Sequence, residues 1–197
     1  MIDVDHPWLV EAEQRVRADP AAIRTLFPAV GRKVGRAALR PEVDPRGLVH
    51  GTVDDLARTR LLAVLAEALD SDALAREVAD LYRYGDDAER RGVLRGLSHL
   101  PTVRMGLDIV RDALRANDIR LVAAAMGEFA ARHLDDHAWR HGVLKCLFVG
   151  VPLAAVAGLD RRADAELLRM VGDYADERRA AGREVPADAV TLLEATP

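Results

Sequence analysis

Apolar residues recur at intervals of three and four along most of the chain, and no segment sustains a strict apolar–polar alternation. The spacing predicts amphipathic α-helices joined by short links, which favour antiparallel neighbours. A second, short helix is expected to start at Pro20 and to end before Pro28, because the residue before a proline disfavours helical geometry. Longer helices are predicted over residues 7–18, 52–69, 72–82, 87–97, 101–116, 119–132, 136–148 and 163–181, with a last short one after Pro186.

An internal similarity indicates a repeated architecture. Segment 86–97 realigns with segment 136–147, where Asp, Ala, Arg, Gly-Val-Leu and a final Leu coincide. Successive hairpins start near Thr52, Asp86 and Asp118, at a spacing typical of helical repeats. The prediction is an all-α fold of stacked antiparallel helical hairpins, a HEAT-like α-solenoid, and the alternative is a compact irregular helical bundle.

The length favours one helical domain over residues 1–197. Within it we predict irregular N-terminal helices and a loop over 1–51, the hairpin stack over 52–183 and a C-terminal tail over 184–197. Half of the residues are hydrophobic but only 4% are aromatic, so the core must consist mainly of Ala, Leu and Val.

Charge and cysteine content narrow the class of function. The net charge is -4 and both signs are mixed, whereas a nucleic-acid-binding protein normally shows a basic excess. Cys146 is the single cysteine, so no disulfide can form within the chain. The N-terminus lacks the apolar region of a signal peptide, and the most apolar stretch, residues 143–159, is shorter than the roughly 20 residues of a membrane span. We therefore expect a cytoplasmic protein that neither binds nucleic acid nor spans a membrane.

The segment 31–51 is rich in glycine and proline and is predicted to be the longest loop region. Its basic residues Arg32, Lys33, Arg36 and Arg40 either bind an anion or form a solvated basic loop. The sequence fits no phosphate-binding loop pattern, which favours the solvated loop.

The ends of neighbouring hairpins carry a second polar group, formed by residues 82–85 with Asn117, Asp118 and Arg120. In a repeat stack these ends lie along a common rim, and Tyr and Arg are favoured at interfaces. Helix capping and helix-end packing explain the same residues more simply.

Three histidines, His133, His137 and His141, are spaced four apart. A His-x3-His pair on one helix face is a usable zinc spacing, so His137 and His141 are the candidate metal ligands. No third ligand motif accompanies them, which favours ordinary surface histidines. We expect no metal and no cofactor.

Lys145 interrupts the apolar run of residues 143–149, in a chain whose other basic residues are arginines apart from Lys33. An ammonium group there must extend to solvent, pair with an acid or line a pocket. A desolvated lysine has a lowered pKa and can act as a base, a nucleophile or an anion ligand. Lys145 is thus the one catalytic candidate, and a salt-bridged lysine is the simpler alternative.

The segment 158–178 is rich in charge. Asp160 is predicted to cap the helix that follows it, and Arg162, Asp173 and Glu177 fall at helical spacing. Surface ion pairs of this kind contribute only about 0.3–0.5 kcal/mol each. A capped helix with surface ion pairs is favoured over a binding site for most of these residues.

Two blocks of this C-terminal region resemble the EboA family. The first joins Ala138-Trp139 and Val143-Leu144-Lys145 to Leu-Phe-Val-Gly-Val-Pro-Leu at 147–153. The second joins Gly-Leu-Asp-Arg-Arg-Ala at 158–163 to Asp173-Tyr174-Ala175, Glu177-Arg178 and Ala-Ala-Gly-Arg at 180–183. The ordered match covers about 45 residues, and upstream of it only the helical layout is similar.

The resemblance implies a small cytoplasmic helical protein of a bacterial secondary-metabolite gene cluster. Its expected partners are other proteins of the cluster, which resemble a membrane prenyltransferase, a metal-dependent hydrolase, a sugar-phosphate cyclase and a sugar isomerase. The family supplies no catalytic residues. It does supply matched positions, which become candidate ligand-binding residues: Trp139, Lys145, Asp160, Arg162, Asp173, Tyr174 and Glu177.

Two hypotheses follow. The first is an accessory or interaction protein that presents a helical surface or cleft to a partner protein or a metabolite. The alternative is a small-molecule enzyme of the same pathway that uses Lys145 with nearby acids and Arg162. Convergence of these side chains on one pocket favours the enzyme, and separate structural contacts favour the accessory protein.

Overall fold

The computed structural model describes residues 6–195. Within them the chain forms twelve α-helices, three short 3-10 helices and one isolated antiparallel bridge, between Ala38 and Thr52. The all-helical class is as predicted. The α-helices are α1 Pro7–Ala18, α2 Ile23–Val34, α3 Val53–Ala68, α4 Ser71–Tyr84, α5 Asp87–Gly96, α6 Val103–Ala113, α7 Ile119–Ala125, α8 Glu128–His133, α9 Asp136–Val149, α10 Leu159–Arg162, α11 Ala165–Ala180 and α12 Ala187–Glu194.

Aspartate side chains cap five of the described α-helices. Each accepts a hydrogen bond from a backbone N–H in the first turn, a group that has no partner inside the helix. The capping aspartates are Asp70 of α4, Asp86 of α5, Asp118 of α7, Asp135 of α9 and Asp164 of α11. Helix α3 begins instead with a capping box between Thr52 and Asp55.

The predicted end of the second helix before Pro28 is wrong. Pro28 lies inside α2, which continues to Val34. Proline removes the N–H that would bond to the Arg24 carbonyl four residues earlier. The buried face of α2, formed by Leu26, Phe27 and Val30, keeps the chain helical through this position.

Two of the predicted long helices differ from their predicted bounds. The segment 119–132 divides into α7 and α8, and the Met126 carbonyl at the break accepts the Ala157 backbone N–H at 2.9 Å. The helix predicted over 163–181 is α11, which begins only at Ala165. Its cap is Asp164 and not Asp160. Asp164 accepts the Leu167 N–H at 2.9 Å and also binds Arg140 of α9, which fixes where α11 starts.

Many helices contact not only the next helix in the chain but also the helix after it. Contacts join α1 to α3, α3 to α5, α5 to α7, α7 to α9 and α9 to α11, and also α4 to α6 and α6 to α8. Helix α5 packs most extensively on α3, where Gly92 and Gly96 lie against Arg58 and Leu62. One contiguous cluster of buried apolar side chains extends from Leu9 to Ala189. Among residues 6–195, no helix combines the length and apolar character required to cross a bilayer.

Candidate ligand-binding cleft

A cleft of about 890 Å³ opens where the segment 35–52 meets the first turns of α5 and α7. Nine of its thirteen lining residues are charged or polar. It brings together two sets of residues that the sequence places apart, the basic loop and the rim of hairpin ends. We refer to it as the polar cleft.

The first wall is the segment 35–52, which contributes Arg36, Ala38, Pro45, Arg46 and Thr52. The segment ends in the bridge to Thr52, the residue that starts α3. Of the four basic residues singled out in the sequence, only Arg36 lines the cleft. Arg46, which the sequence did not single out, lies beside it.

The buried Asp44 side chain stabilises the turn in this wall by accepting hydrogen bonds from its backbone. Its carboxylate accepts the backbone N–H groups of Leu48, Val49 and His50 at 2.9, 2.9 and 2.8 Å. Burial acts to raise the pKa of the Asp44 carboxyl, but the hydrogen bonds from the three backbone N–H groups and the His50 side chain outweigh it, and the pKa is lowered. The charged carboxylate therefore holds the turn 44–50 in one conformation.

Arg95 of α5 fastens the same turn to the helices. It donates to the Leu48 carbonyl at 2.5 Å and to the Val49 carbonyl at 3.3 Å. Leu48 is buried in the core cluster. The first wall is thus anchored by both its side chains and its backbone, and is a fixed part of the fold.

The second wall is the start of α5, with Asp86, Asp87, Ala88 and Arg91. The Asp86 carboxylate accepts the Glu89 N–H at 2.8 Å as the helix cap. Arg91 is only 6% exposed and forms the floor of the cleft. These groups place acceptors at the mouth and a buried guanidinium beneath them.

Arg91 belongs to a buried network of charges at the α3–α5 interface. It donates to Asp55 at 2.7 Å and to the Thr52 hydroxyl at 3.1 Å. Behind it Arg58 donates to Asp54 at 2.6 Å, and both side chains are 0% exposed. Two aspartates and two arginines balance each other, so the floor of the cleft is neutral.

The third wall is the start of α7, with Asn117, Asp118, Ile119 and Arg120. Asp118 accepts the backbone N–H of Arg120 at 2.8 Å, and its carboxylate lies 3.9 Å from the Arg120 guanidinium. The Asn117 side-chain oxygen accepts a hydrogen bond from Lys145 of α9 at 2.7 Å. The rim residues predicted from the hairpin ends are thus partly assembled here.

Two guanidinium groups of the cleft have no counter-ion. Within residues 6–195, neither Arg36 nor Arg46 has a carboxylate oxygen within 4.0 Å. Arg36 is close enough to Glu89 to lower the pKa of that carboxyl, but burial has the larger effect and the pKa of Glu89 is raised. Both arginines are exposed and retain free N–H donors.

The family model described as "metabolite traffic protein EboA" matches residues 4–194. The chain belongs to the EboA family. No curated protein and no solved structure matches the chain significantly. The match confirms the resemblance and extends it upstream of residues 139–183, to the segment and helices that form the polar cleft.

The residues of the two EboA-like blocks, which we call the family signature, pack the later helices of the chain together. Trp139 is 1% exposed, and the Arg162 guanidinium lies 4.8 Å from its ring centroid. Arg162 also donates to the carbonyls of Ala131 and Leu134 at 3.0 and 2.9 Å and to Asp136 at 2.7 Å. Arg162 therefore connects the end of α8 to the start of α9, and its donors are engaged.

The remaining signature side chains are dispersed. Asp160 and Asp173 are exposed and pair with neighbouring arginines on their own segments, at 3.6 and 2.6 Å. The Tyr174 hydroxyl donates to the Leu147 carbonyl at 3.3 Å, and Glu177 is exposed on the same helix. With Trp139, Lys145 and Arg162, they line none of the four clefts described on the surface.

Lys145 is half-buried and has no carboxylate within 4.0 Å among the described residues. Its partner is Asn117, so it supports the rim of the polar cleft from behind. Next to it, burial raises the pKa of the Cys146 thiol to about 12, so this thiol is protonated at neutral pH.

His137 and His141 lie on one face of α9, and their ring centroids are 4.4 Å apart. Among residues 6–195, no group of three or more His, Cys, Asp or Glu side chains is arranged to hold a metal ion. The pair therefore lacks the further protein ligands that a structural zinc site requires.

Proposed function

We propose that this EboA-family protein is an accessory protein of a secondary-metabolite gene cluster that binds a small metabolite in the polar cleft and delivers it to a partner. The unpaired Arg36 and Arg46, on a wall held rigid by Asp44 and Arg95, carry the proposal. Because the backbone of this wall is already held, only the two arginine side chains need to become ordered when a ligand binds, which limits the entropic cost. The family's description as a metabolite traffic protein agrees with this role.

The alternative, an enzyme that uses Lys145 with acids and Arg162, has less support. Arg162 is engaged by carbonyl oxygens, and Lys145 bonds to Asn117. A nucleophile, a base and an anion ligand need a common position for the reacting atoms. The signature side chains line none of the four clefts described above, so we assign the chemistry of the pathway to partners.

The proposed partner surface is the helix stack itself. Contacts between alternate helices support the proposal that the fold is a HEAT-like stack, and such stacks present extended faces to other proteins. We propose that residues 1–197 act as one domain in the cytoplasm and that other proteins of the cluster dock on this stack.

Equilibrium dialysis of the purified chain against a metabolite extract of its source cells tests the proposal. The cleft is blocked by Pro45→Trp, and the control is Pro41→Trp, an exposed proline of the same segment outside the cleft. Mass spectrometry should find one compound enriched by the wild type and by Pro41→Trp but not by Pro45→Trp. Equal enrichment by both variants, or no enrichment by the wild type, overturns the proposal.

A further inference from the structure

We infer that the polar cleft selects a hydroxylated organic anion, a compound that carries a phosphate or carboxylate group next to several hydroxyl groups. The inference rests on the proposed function and specifies its ligand. It is carried by the division of the polar cleft into a donor wall, which is the first wall, and an acceptor wall, which comprises the second and third walls, and by a lining that is more polar than apolar.

The hydrogen-bond donors of the donor wall are the guanidinium groups of Arg36 and Arg46, which line the cleft. A guanidinium group only donates hydrogen bonds, and its planar fork matches the oxygens of a phosphate or carboxylate. Since no described carboxylate lies within 4.0 Å of either group, both charges are available to a ligand. Arg91 does not compete for the anion, because Asp54 and Asp55 already balance its charge.

The acceptor wall is formed by the carboxylates of Asp86, Asp87 and Asp118, and the charge of Asp118 is partly balanced by Arg120 at 3.9 Å. Asp86 and Asp118 each cap a helix, yet a carboxylate has room for about four hydrogen bonds. A bare anion would satisfy the arginines but would be repelled by these carboxylates. Hydroxyl groups supply the missing donors, so a ligand with both groups complements both walls.

Apolar ligands do not suit the cleft. Its apolar lining residues are Ala38, Pro45, Ala88 and Ile119, spread over all three walls. An isoprenoid chain in this position would remove water from charged groups without replacing the lost hydrogen bonds, which is unfavourable. Sites for apolar ligands are instead lined mainly by apolar and aromatic side chains.

The test is isothermal titration calorimetry of the full chain with three probes, glycerol 3-phosphate, inorganic phosphate and glycerol, at low salt. Glycerol 3-phosphate should bind more tightly than inorganic phosphate, and glycerol should show no heat of binding at the same concentration. Arg36→Ala and Arg46→Ala should each weaken glycerol 3-phosphate binding by about tenfold, as expected for a lost charge-assisted hydrogen bond. Since both arginines are exposed, the melting temperature should not change.

Arg32→Ala and Arg40→Ala are the matched controls, because both residues are exposed arginines near the cleft that do not line it. They should leave the affinity within a factor of about two. Equal losses in controls and cleft variants, or inorganic phosphate binding as tightly as glycerol 3-phosphate, overturn the inference. So does the absence of glycerol 3-phosphate binding at millimolar concentration.

The two proposals fail in different ways. If Pro45→Trp abolishes the enrichment of a host metabolite but Arg36→Ala and Arg46→Ala do not change its affinity, the cleft binds a ligand of another class and only the inference fails. If Pro45→Trp has no effect on enrichment, the proposed function fails as well.

Discussion

Arg91 and Asp55 meet across the α3–α5 interface, where the arginine Nε lies 2.7 and 2.9 Å from the two carboxylate oxygens. Asp55 also accepts the Thr52 backbone N–H at 3.2 Å and so completes the cap of α3. One carboxylate therefore starts a helix and holds the floor of the polar cleft. The pair links the packing of the core to the shape of the proposed binding site.

The first prediction concerns this pair. Arg91→Met should lower the free energy of unfolding by about 3–5 kcal/mol, because it leaves a buried carboxylate without its partner. Urea denaturation followed by circular dichroism measures the change. Arg169→Met is the control, since Arg169 is exposed and its pairs with Glu166 and Asp173 lie at the surface. Equal stability of the two variants would show that the buried pair is not required.

A second prediction tests the close approach of α3 and α5. A Cβ at Gly92 would lie 3.0 Å from the Arg58 Cβ and 3.2 Å from its Cγ. Gly92→Ala should therefore cost about 1–3 kcal/mol, since overpacking forces neighbouring groups to move. Gly172→Ala is the matched control, because α11 leaves nothing within 4 Å of a Cβ there. That variant should gain about 0.5–1 kcal/mol from the better helix former, and a loss equal to that of Gly92→Ala would contradict the packing argument.

Most helices were predictable from local signals in the sequence. Helix α1 has the predicted bounds, and α3 spans Val53–Ala68 where the prediction was 52–69. The errors arose where tertiary contacts override local preference. Pro28 stays helical because its neighbours are buried, and the break after Met126 is stabilised by the distant Ala157 backbone N–H. Both effects depend on contacts with distant parts of the chain, which the local sequence does not reveal.

The polar cleft was less predictable. The sequence pointed to Arg36 and to the rim residues Asn117, Asp118 and Arg120, but not to their convergence, which depends on how α5 packs between α3 and α7. A signal for the floor did exist. Asp54 and Arg58 continue the helical stripe of Leu61 and Leu65, so charges fall on the buried face of α3.

The C-terminal signature illustrates a different limit. Its residue pattern pointed to the EboA family over about 45 residues, and the family model matches residues 4–194. A pattern of residue types does not separate a side chain that packs helices from one that binds a ligand. Arg162 and Trp139 illustrate this, since their stacked contact joins helices within the fold.

A third prediction follows from the lowered pKa of Asp44. A carboxyl whose pKa is lower in the folded than in the unfolded state stabilises the fold at a pH above the unfolded value, about 3.9, and loses this contribution as the pH falls through the folded value. Asp44→Asn should thus cost about 2 kcal/mol near neutral pH. The difference from the wild type should shrink below about pH 4.

Urea denaturation at several pH values measures this difference, and hydrogen exchange of the Leu48, Val49 and His50 amides locates it. Asp160→Asn serves as the control, because that carboxyl is exposed and accepts no backbone N–H in the structure. A difference between Asp44→Asn and the wild type that is constant down to pH 2, where this carboxyl is neutral in the unfolded chain, would show that its charge does not hold the turn.

The last prediction separates a supporting lysine from a catalytic one. Lys145 bonds to Asn117, and Asn117 lines the polar cleft. If the lysine acts only by holding the rim, Lys145→Met and Asn117→Ala should weaken the binding of glycerol 3-phosphate to a similar, small extent, by less than about fivefold. The double variant should then be no weaker than either single one, since both remove the same contact. If Lys145→Met abolishes binding while Asn117→Ala leaves it intact, the lysine itself meets the ligand, and the enzyme alternative regains its main residue.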